Sequence, residues 1–450
     1  MKTNMNICFV ANFFKTYLFH ELSKRLAGND ITIFWVVVKS DQYEFLKTHY
    51  GKENILYLNR SHTKRKDEAI DDFKLNELIF GDRVLKHEMR NGLDFLTNIQ
   101  APVYNFLFKN NIRFVFGEIT WAHELLIQRI TKKRTELNCD YLQCGVVRIP
   151  NGRFAFFTDE IENTMMQFNE HPGASEIIKI EKPSYLALND QIVSKSKSIS
   201  GRLNRLKRFI TGENIEKDDP NVITNVLTRI KIVTKEEFNK TSYSFIRTTR
   251  LELLENEKFI LYGFHKQPES SIDIVGRYHE DQFSTVIDLW RLLPFGWKLV
   301  VKEHTNAIGD RPYSFYKKLL KYPNIILADE KINSKHLIER SQLVATVAGT
   351  LGYEAALMKK PAITFAKVFF NRINYCKAVS IDDLLKYDSL ANLVAELNAQ
   401  LDNRLEFSNF LMSNSFEGYI TDPHSDPSVL DDLNLQKICS AFMKLINRYY

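Results

Sequence analysis

Apolar residues along the chain fall into two kinds of run. Short, almost unbroken ones occur at residues 6–11 (NICFVA), 31–38 (ITIFWVVV), 54–58 (NILYL) and 113–118 (RFVFGE). Such runs are what strands buried on both faces require. Between them the apolar positions are spaced three or four apart, as at Phe14, Leu18, Leu22 and Leu26, and again over residues 121–133. That is helical spacing. Residues 60–95 are charged and helical in character. A short strand at 140–142 leads to residues 147–157, where Pro150-Asn151-Gly152 is a turn signal between two strands. Strands alternating with helices predict a parallel, doubly wound sheet.

The pattern repeats later in the chain, more cleanly. Strands are predicted at 259–264, 298–302, 324–328, 343–347 and 362–365, with helices at 277–293, 313–321, 334–340 and 351–359. The stretch between the two α/β regions lacks this alternation. It carries Lys195, Lys197, Arg202, Arg205, Lys207 and Arg208 with no acid among them, and Leu203, Leu206, Phe209 and Ile210 interleave at helical spacing. A solvated helix is the ordinary reading of such a run. A basic amphipathic face that rests on anionic lipid is the sharper one. The expected organisation is a first α/β domain at 1–178, a basic helical connection at 179–257, a second α/β domain at 258–380 and a helical tail at 381–450. The first domain is a candidate partner for that tail.

Composition narrows the picture modestly. The chain has 450 residues, 44% hydrophobic and 26% charged, enough for two cores. A net charge of +6 is mild for this length and does not point to a nucleic-acid partner. The five cysteines include no CxxC pair, so neither a disulfide framework nor a zinc knuckle is expected. No secretory signal or spanning segment is expected, because the apolar run at 7–10 is short and soon followed by Asn12 and Lys15. A cytoplasmic location fits these features, with any membrane work done from the inner surface.

Candidate chemistry sits at strand ends. The run Gly349-Thr350-Leu351-Gly352-Tyr353-Glu354 follows one strand and opens a helix. Glycines permit close backbone approach, the helix start offers free N–H groups to a phosphate, and Thr350 can cap the helix or bind a phosphate oxygen. Glu354 is placed to accept hydrogen bonds from a ribose diol. An ordinary capped helix with a well-placed acid would look the same; a second polar loop at a neighbouring strand end tips the balance. That loop holds Lys302, Glu303 and His304, with Arg311 nearby. A third, 264–269, offers His265, Gln267 and Glu269, and Gln267 is suited to reading a base or sugar. Glu118, at the end of a first-domain strand, is a candidate general base for an acceptor hydroxyl. Asp159 and Glu160 compete for that role. There is no Asp-x-Asp, GxGxxG, GxxxxGK[ST] or GxSxG run, so metal–diphosphate, dinucleotide, P-loop and nucleophile-elbow chemistries have no support.

Gln267-Pro268-Glu269, Val301-Lys302-Glu303-His304, Gly309-Asp310-Arg311, Tyr322-Pro323-Asn324, Gly349-Thr350, Gly352 and Glu354-Ala355 together resemble the capsule polysaccharide biosynthesis family. That family includes β-Kdo transferases. The resemblance covers 259–370. Of the family's Gln-Pro and His-Pro pairs, the first is present as Gln267-Pro268; in the second, His304 is followed by Thr305. The resemblance implies an α/β, GT-B-like fold of two facing Rossmann-like domains. It also implies a metal-independent glycosyltransferase without cofactor. Its partners would be a nucleotide-sugar donor, CMP-Kdo in the family, and a glycan or lipid-linked acceptor. Gln267, Lys302, Arg311, Gly349, Thr350 and Glu354 would then bind the donor, with Glu118 and His304 catalytic. Nucleotide-sugar 2-epimerases, polyol-phosphate transferases and a non-catalytic scaffold are alternatives on the same fold.

Overall fold

A computed structural model describes residues 5–28, 30–64, 69–168, 174–181, 201, 204, 207, 208, 210–212 and 216–449. Lys195, Lys197, Arg202 and Arg205, most of the basic run, lie outside the described residues, so the lipid-facing helix expected there has no counterpart to describe. The chain divides into two compact units. One comprises Met1–Phe168, Glu181–Arg229 and Asn414–Tyr450; the other comprises Asn169–Ile180 and Ile230–Ser413. Both are α/β, built on mostly parallel sheets with flanking helices.

The first unit carries strands β1 (Met5–Val10), β2 (Ile31–Val37), β3 (Ile55–Tyr57), β4 (Ile112–Gly117), β5 (Asp140–Val146) and β6 (Arg153–Phe157). The second carries β7 (Phe259–Gly263), β8 (Lys298–Lys302), β9 (Ile325–Ala328), β10 (Leu343–Thr346), β11 (Ala362–Thr364) and β12 (Cys376–Ala378). A last short strand, β13 (Phe416–Glu417), returns to the first sheet.

The first sheet has the order β13-β6-β5-β4-β1-β2-β3, parallel from β3 to β5 and antiparallel at β6 and β13. Its strands are buried on both faces, which is why they read as unbroken apolar runs. Phe9, Trp35, Phe116 and Phe156 pack in its core. Helix Asp432–Asn447 covers them, setting the Phe442 ring 4.7 Å from Phe116 and 5.0 Å from Phe156. Leu435, Ile438, Phe442 and Leu445 form the buried stripe of that helix.

The second sheet is parallel throughout, in the order β12-β11-β10-β7-β8-β9. This is the doubly wound order in which the chain reverses direction between the first and fourth strands, here β7 and β10. Ligands of such sheets lie beyond the strand C-termini at that reversal. In the first unit the equivalent reversal lies between β1 and β4.

Several elements differ from expectation. The helix predicted from 277 runs Gln282–Arg291, because the Asp281 carboxylate accepts from Phe283 N–H (3.2 Å) and Ser284 N–H (3.5 Å) and starts it there. Ser271–Val275 instead forms one π-helical turn. The region before β4 contains one long helix, Met89–Lys109, reaching well past the charged stretch. The tail from 381 is shared: helices Ile381–Leu384 and Leu390–Asn398 belong to the second unit, and Asn414–Tyr450 belongs to the first.

Candidate functional site

Three strand-end loops of the second unit line one cavity of about 270 Å³. Gly263, Phe264 and His265 come from the end of β7, Lys302, His304 and Thr305 from the end of β8, and Thr346, Gly349, Thr350 and Glu354 from the end of β10. The cavity therefore lies at the sheet's reversal point. Small side chains bring its walls together. A Cβ on Gly263 would stand 2.6 Å from Leu351 Cδ2, and one on Gly349 would stand 2.7 Å from Thr346 Oγ1.

His265 is the residue that knits these loops, and sequence reasoning gave it no role of its own. Its ring is buried, and burial pushes its pKa down to about 4. Nε2 accepts from Ala348 N–H at 3.1 Å and lies 2.9 Å from Thr346 Oγ1. Because Nε2 is an acceptor, the proton belongs on Nδ1, which faces Ser271 Oγ at 3.3 Å. Ser271 in turn donates to Glu269 Oε2 at 2.9 Å. The Thr346 hydroxyl oxygen accepts from Gly349 N–H at 3.3 Å. The backbone entering helix Thr350–Leu357 is thus held by a neutral imidazole and a threonine.

Gly349 occupies the N-cap of that helix and no side chain caps it. Thr350 is the first helical residue, not the cap, and its hydroxyl has no partner among the described residues. The first-turn N–H groups of a helix lack internal acceptors, so this end offers donors to an anion. Glu354 is half-buried and no described group hydrogen-bonds its carboxylate; burial raises its pKa. An unengaged carboxylate on a cavity wall is a ready acceptor for hydroxyl groups.

Lys302 is buried, and its Nζ donates to the Glu330 carbonyl at 3.2 Å. Desolvation lowers its pKa despite the acids nearby. His304 is exposed at the cavity wall, and its Nδ1 accepts from Asn306 N–H at 3.2 Å. That leaves the proton on Nε2 as a donor, and desolvation holds the ring pKa below the ordinary value.

Two of the residues expected to bind a donor stand behind this wall. Arg311 is buried, donating to both Glu303 carboxylate oxygens (2.8 and 2.9 Å) and to the His265 carbonyl (2.6 Å). Glu303 also accepts from Tyr316 Oη at 2.5 Å. This cluster braces the β7 and β8 loops. Gln267 donates to the Glu280 carbonyl (3.2 Å) and accepts from Gln282 Nε2 (3.1 Å). Neither side chain lines the cavity.

Glu118 belongs to the first unit, just beyond β4. Lys15 Nζ donates to its Oε2 at 2.5 Å. Burial acts to raise its pKa, but Lys15, Arg148 and Arg83 outweigh that and hold it below the ordinary range. Its competitors are engaged differently. Glu160 pairs with Arg129, and Asp159 accepts from the backbone N–H groups of Ile161, Asn163 and Thr164. Glu124 is fully buried, and burial pushes its pKa up to about 8. It accepts from Thr120 N–H, Trp121 N–H and Asn12 Nδ2, so it is a helix cap rather than an accessible base.

No protein-family model matches the chain, and no curated protein does. Among solved structures, the chain is similar to the KpsC β-Kdo 2,7 transferase of Thermosulfurimonas dismutans, at 11% identity and TM-score 0.37, with 96% of this chain and 100% of that one covered. The β-Kdo 2,4 transferase of the same KpsC is similar at 13% identity and TM-score 0.33, over 73% of this chain and 87% of that one. The UDP-GlcNAc 2-epimerase of Methanocaldococcus jannaschii is similar at 10% identity and TM-score 0.27, over 91% and 95%. At these identities and scores the likeness does not extend to reaction or substrate. Among the described residues, no helix is long and apolar enough to cross a membrane.

Proposed function

We propose that the protein is a GT-B-type glycosyltransferase of surface-polysaccharide assembly. It would move a sugar from a nucleotide donor, CMP-Kdo by resemblance, to a glycan or lipid-linked acceptor. The observation that carries this reading is the convergence of polar groups from three strand ends, an unengaged Glu354 carboxylate among them, on one cavity at the reversal point of the second sheet. The helix start at Gly349 and Thr350 suits a phosphate, and Glu354 suits a ribose diol. Lys302, and His304 donating through Nε2, suit the leaving phosphate's developing charge, the main catalytic demand of such a transfer. Gln267 and Arg311 act on this site through the loops they brace. Glu118, ionised and fixed by Lys15, is the acceptor-side carboxylate that would take a hydroxyl proton. The reading requires no metal, and it places the protein in the cytoplasm, at the inner membrane face if the basic run meets anionic lipid.

A thermal-shift series with CMP, UMP, UDP, GDP and CDP tests the site, because a ligand that binds the folded state raises its melting temperature. A shift specific to CMP supports the Kdo donor, and a shift specific to another nucleotide redirects the donor. His304→Ala and Glu354→Ala, folded, should lose transfer activity and, for Glu354→Ala, the shift. Full activity in both would overturn the site assignment. Epimer rather than transfer product would favour a nucleotide-sugar 2-epimerase.

A further inference from the structure

The second ring nitrogen of His265 faces a segment that the reading above leaves without a role. Ser271 Oγ lies 3.3 Å from Nδ1 and donates to Glu269 Oε2 at 2.9 Å. Ser271 opens the π-helical turn Ser271–Val275, a rare geometry that is frequent at functional sites. The Glu269 carbonyl anchors that turn, accepting from Ile272 N–H at 3.1 Å and Asp273 N–H at 2.8 Å. The turn also packs on Val347, just past the end of β10. Ile272 and Val347 share one small buried cluster, and a Cβ on Gly276 would stand 2.3 Å from Val347 Cγ1. The segment thus meets the loop before helix Thr350–Leu357 twice, by packing at Val347 and through His265 at Ala348.

Each proton in this row has one direction open to it. A carboxylate only accepts, so Glu269 takes the Ser271 hydroxyl proton. Ser271 Oγ, its one proton committed, can only accept from His265, which puts the ring proton on Nδ1. Nε2 is then an acceptor, open to the Ala348 N–H at 3.1 Å and to the Thr346 hydroxyl proton across 2.9 Å. Thr346 Oγ1 in turn accepts from Gly349 N–H at 3.3 Å. One carboxylate therefore orients the whole row, from Ser271 to Gly349. With the Ala348 and Gly349 N–H groups spent inside the protein, the next two, on Thr350 and Leu351, begin the helix without internal acceptors. Both of those residues line the cavity, whereas Glu269 and Ser271 do not.

We infer that Ser271 and Glu269 are positioning residues of the phosphate site: they fix His265 as the Nδ1–H tautomer, whose Nε2 holds Ala348 and Thr346 and so aims the start of helix Thr350–Leu357 at the cavity. The inference rests on the transferase reading, which puts a nucleotide phosphate at that helix start. Without the Ser271 hydroxyl, the Nδ1 proton has no acceptor. Without the Glu269 carboxylate, the Ser271 proton is released to turn towards Nδ1. Either change lets the ring proton move to Nε2, where it opposes the Ala348 N–H and the Thr346 hydroxyl. The Ala348 N–H then has no acceptor, and the turn before the helix is released.

Long-range proton–nitrogen spectra of the full chain, with its histidines nitrogen-labelled, read the tautomer directly; the His265 signal is identified by its loss in His265→Asn. The wild-type protein should show a protonated Nδ1 and an unprotonated Nε2. Ser271→Ala and Glu269→Ala should move the proton to Nε2. Ser271→Thr, which keeps the hydroxyl, should hold it on Nδ1, and Ser270→Ala should change nothing. Calorimetry on the same samples follows CMP, UDP and inorganic pyrophosphate. Whichever of these binds the wild type should bind Ser271→Ala and Glu269→Ala about tenfold more weakly, the worth of one hydrogen bond, and Ser271→Thr near the wild-type level. A wild-type proton on Nε2, a proton that stays on Nδ1 in both alanine variants, or unaltered affinity in both, overturns the positioning role and leaves the nucleotide site standing. Failure of the wild type to bind any of the three overturns the transferase reading and the positioning role together.

Discussion

His265 Nε2 accepts the Ala348 N–H at 3.1 Å, joining the loop after the first strand of the second sheet to the loop after the fourth. An imidazole can do this only while that nitrogen is unprotonated. With its pKa near 4 in the fold, against an ordinary value of 6.5, His265 binds fewer protons folded than unfolded between those values. Its contribution to stability is therefore complete above about pH 6.5 and lost as pH falls towards 4. Proton–carbon spectra of histidine labelled at Cε1, with the His265 signal identified by its loss in His265→Asn, should show no titration above pH 5. A midpoint near 6.5 would contradict the buried, neutral ring.

The Glu303–Arg311 pair predicts a one-sided effect. Both groups are buried, and each leaves the other uncompensated if removed. Arg311→Ala should cost about 3–5 kcal/mol in urea unfolding of the second unit. Glu303→Gln with Arg311→Met should cost clearly less than either single change, because no charge is stranded. Strictly additive losses would show that the pair is not coupled.

Glu354 should trade stability for binding. Its pKa is raised by burial, so the fold penalises its charged form. The stability linked to this group is present below the ordinary glutamate range and is lost as pH rises through the folded value. Glu354→Gln should therefore match wild-type stability at low pH and exceed it near neutrality. The same variant should bind the nucleotide about tenfold more weakly, corresponding to about 1.4 kcal/mol. Calorimetry paired with melting curves at two pH values reads both effects.

Phe442 links the C-terminal helix to the first sheet. Phe442→Ala empties a site lined by Phe9, Phe116 and Phe156 and should cost about 3–5 kcal/mol. Hydrogen exchange followed by mass spectrometry should show lost protection in β1 and β4 and unchanged protection in β7 and β10. Equal loss in both sheets would mean that the helix is not specific to the first.

The sequence by itself determined the α/β class and most of the strands. A strand buried on both faces must be apolar nearly throughout, and that signal is local. It also exposed the polar strand ends at Lys302, His304, Gly349, Thr350 and Glu354, since a strand that stops at polar residues beside a helix start is readable in the chain. Tertiary structure decided what short or distant segments do. β13 is two residues long and pairs with β6 across more than half the chain, so no periodicity announces it. Only the fold shows that Arg311 and Gln267 turn inward to brace loops while His265, unremarkable in sequence, ties them together. Hydrogen-bond partners far apart in sequence leave no mark on either segment alone. The same holds for the left-handed Phe13, whose carbonyl is held by Gln42 and whose neighbour Asn12 is tied to Glu124, from two distant helices.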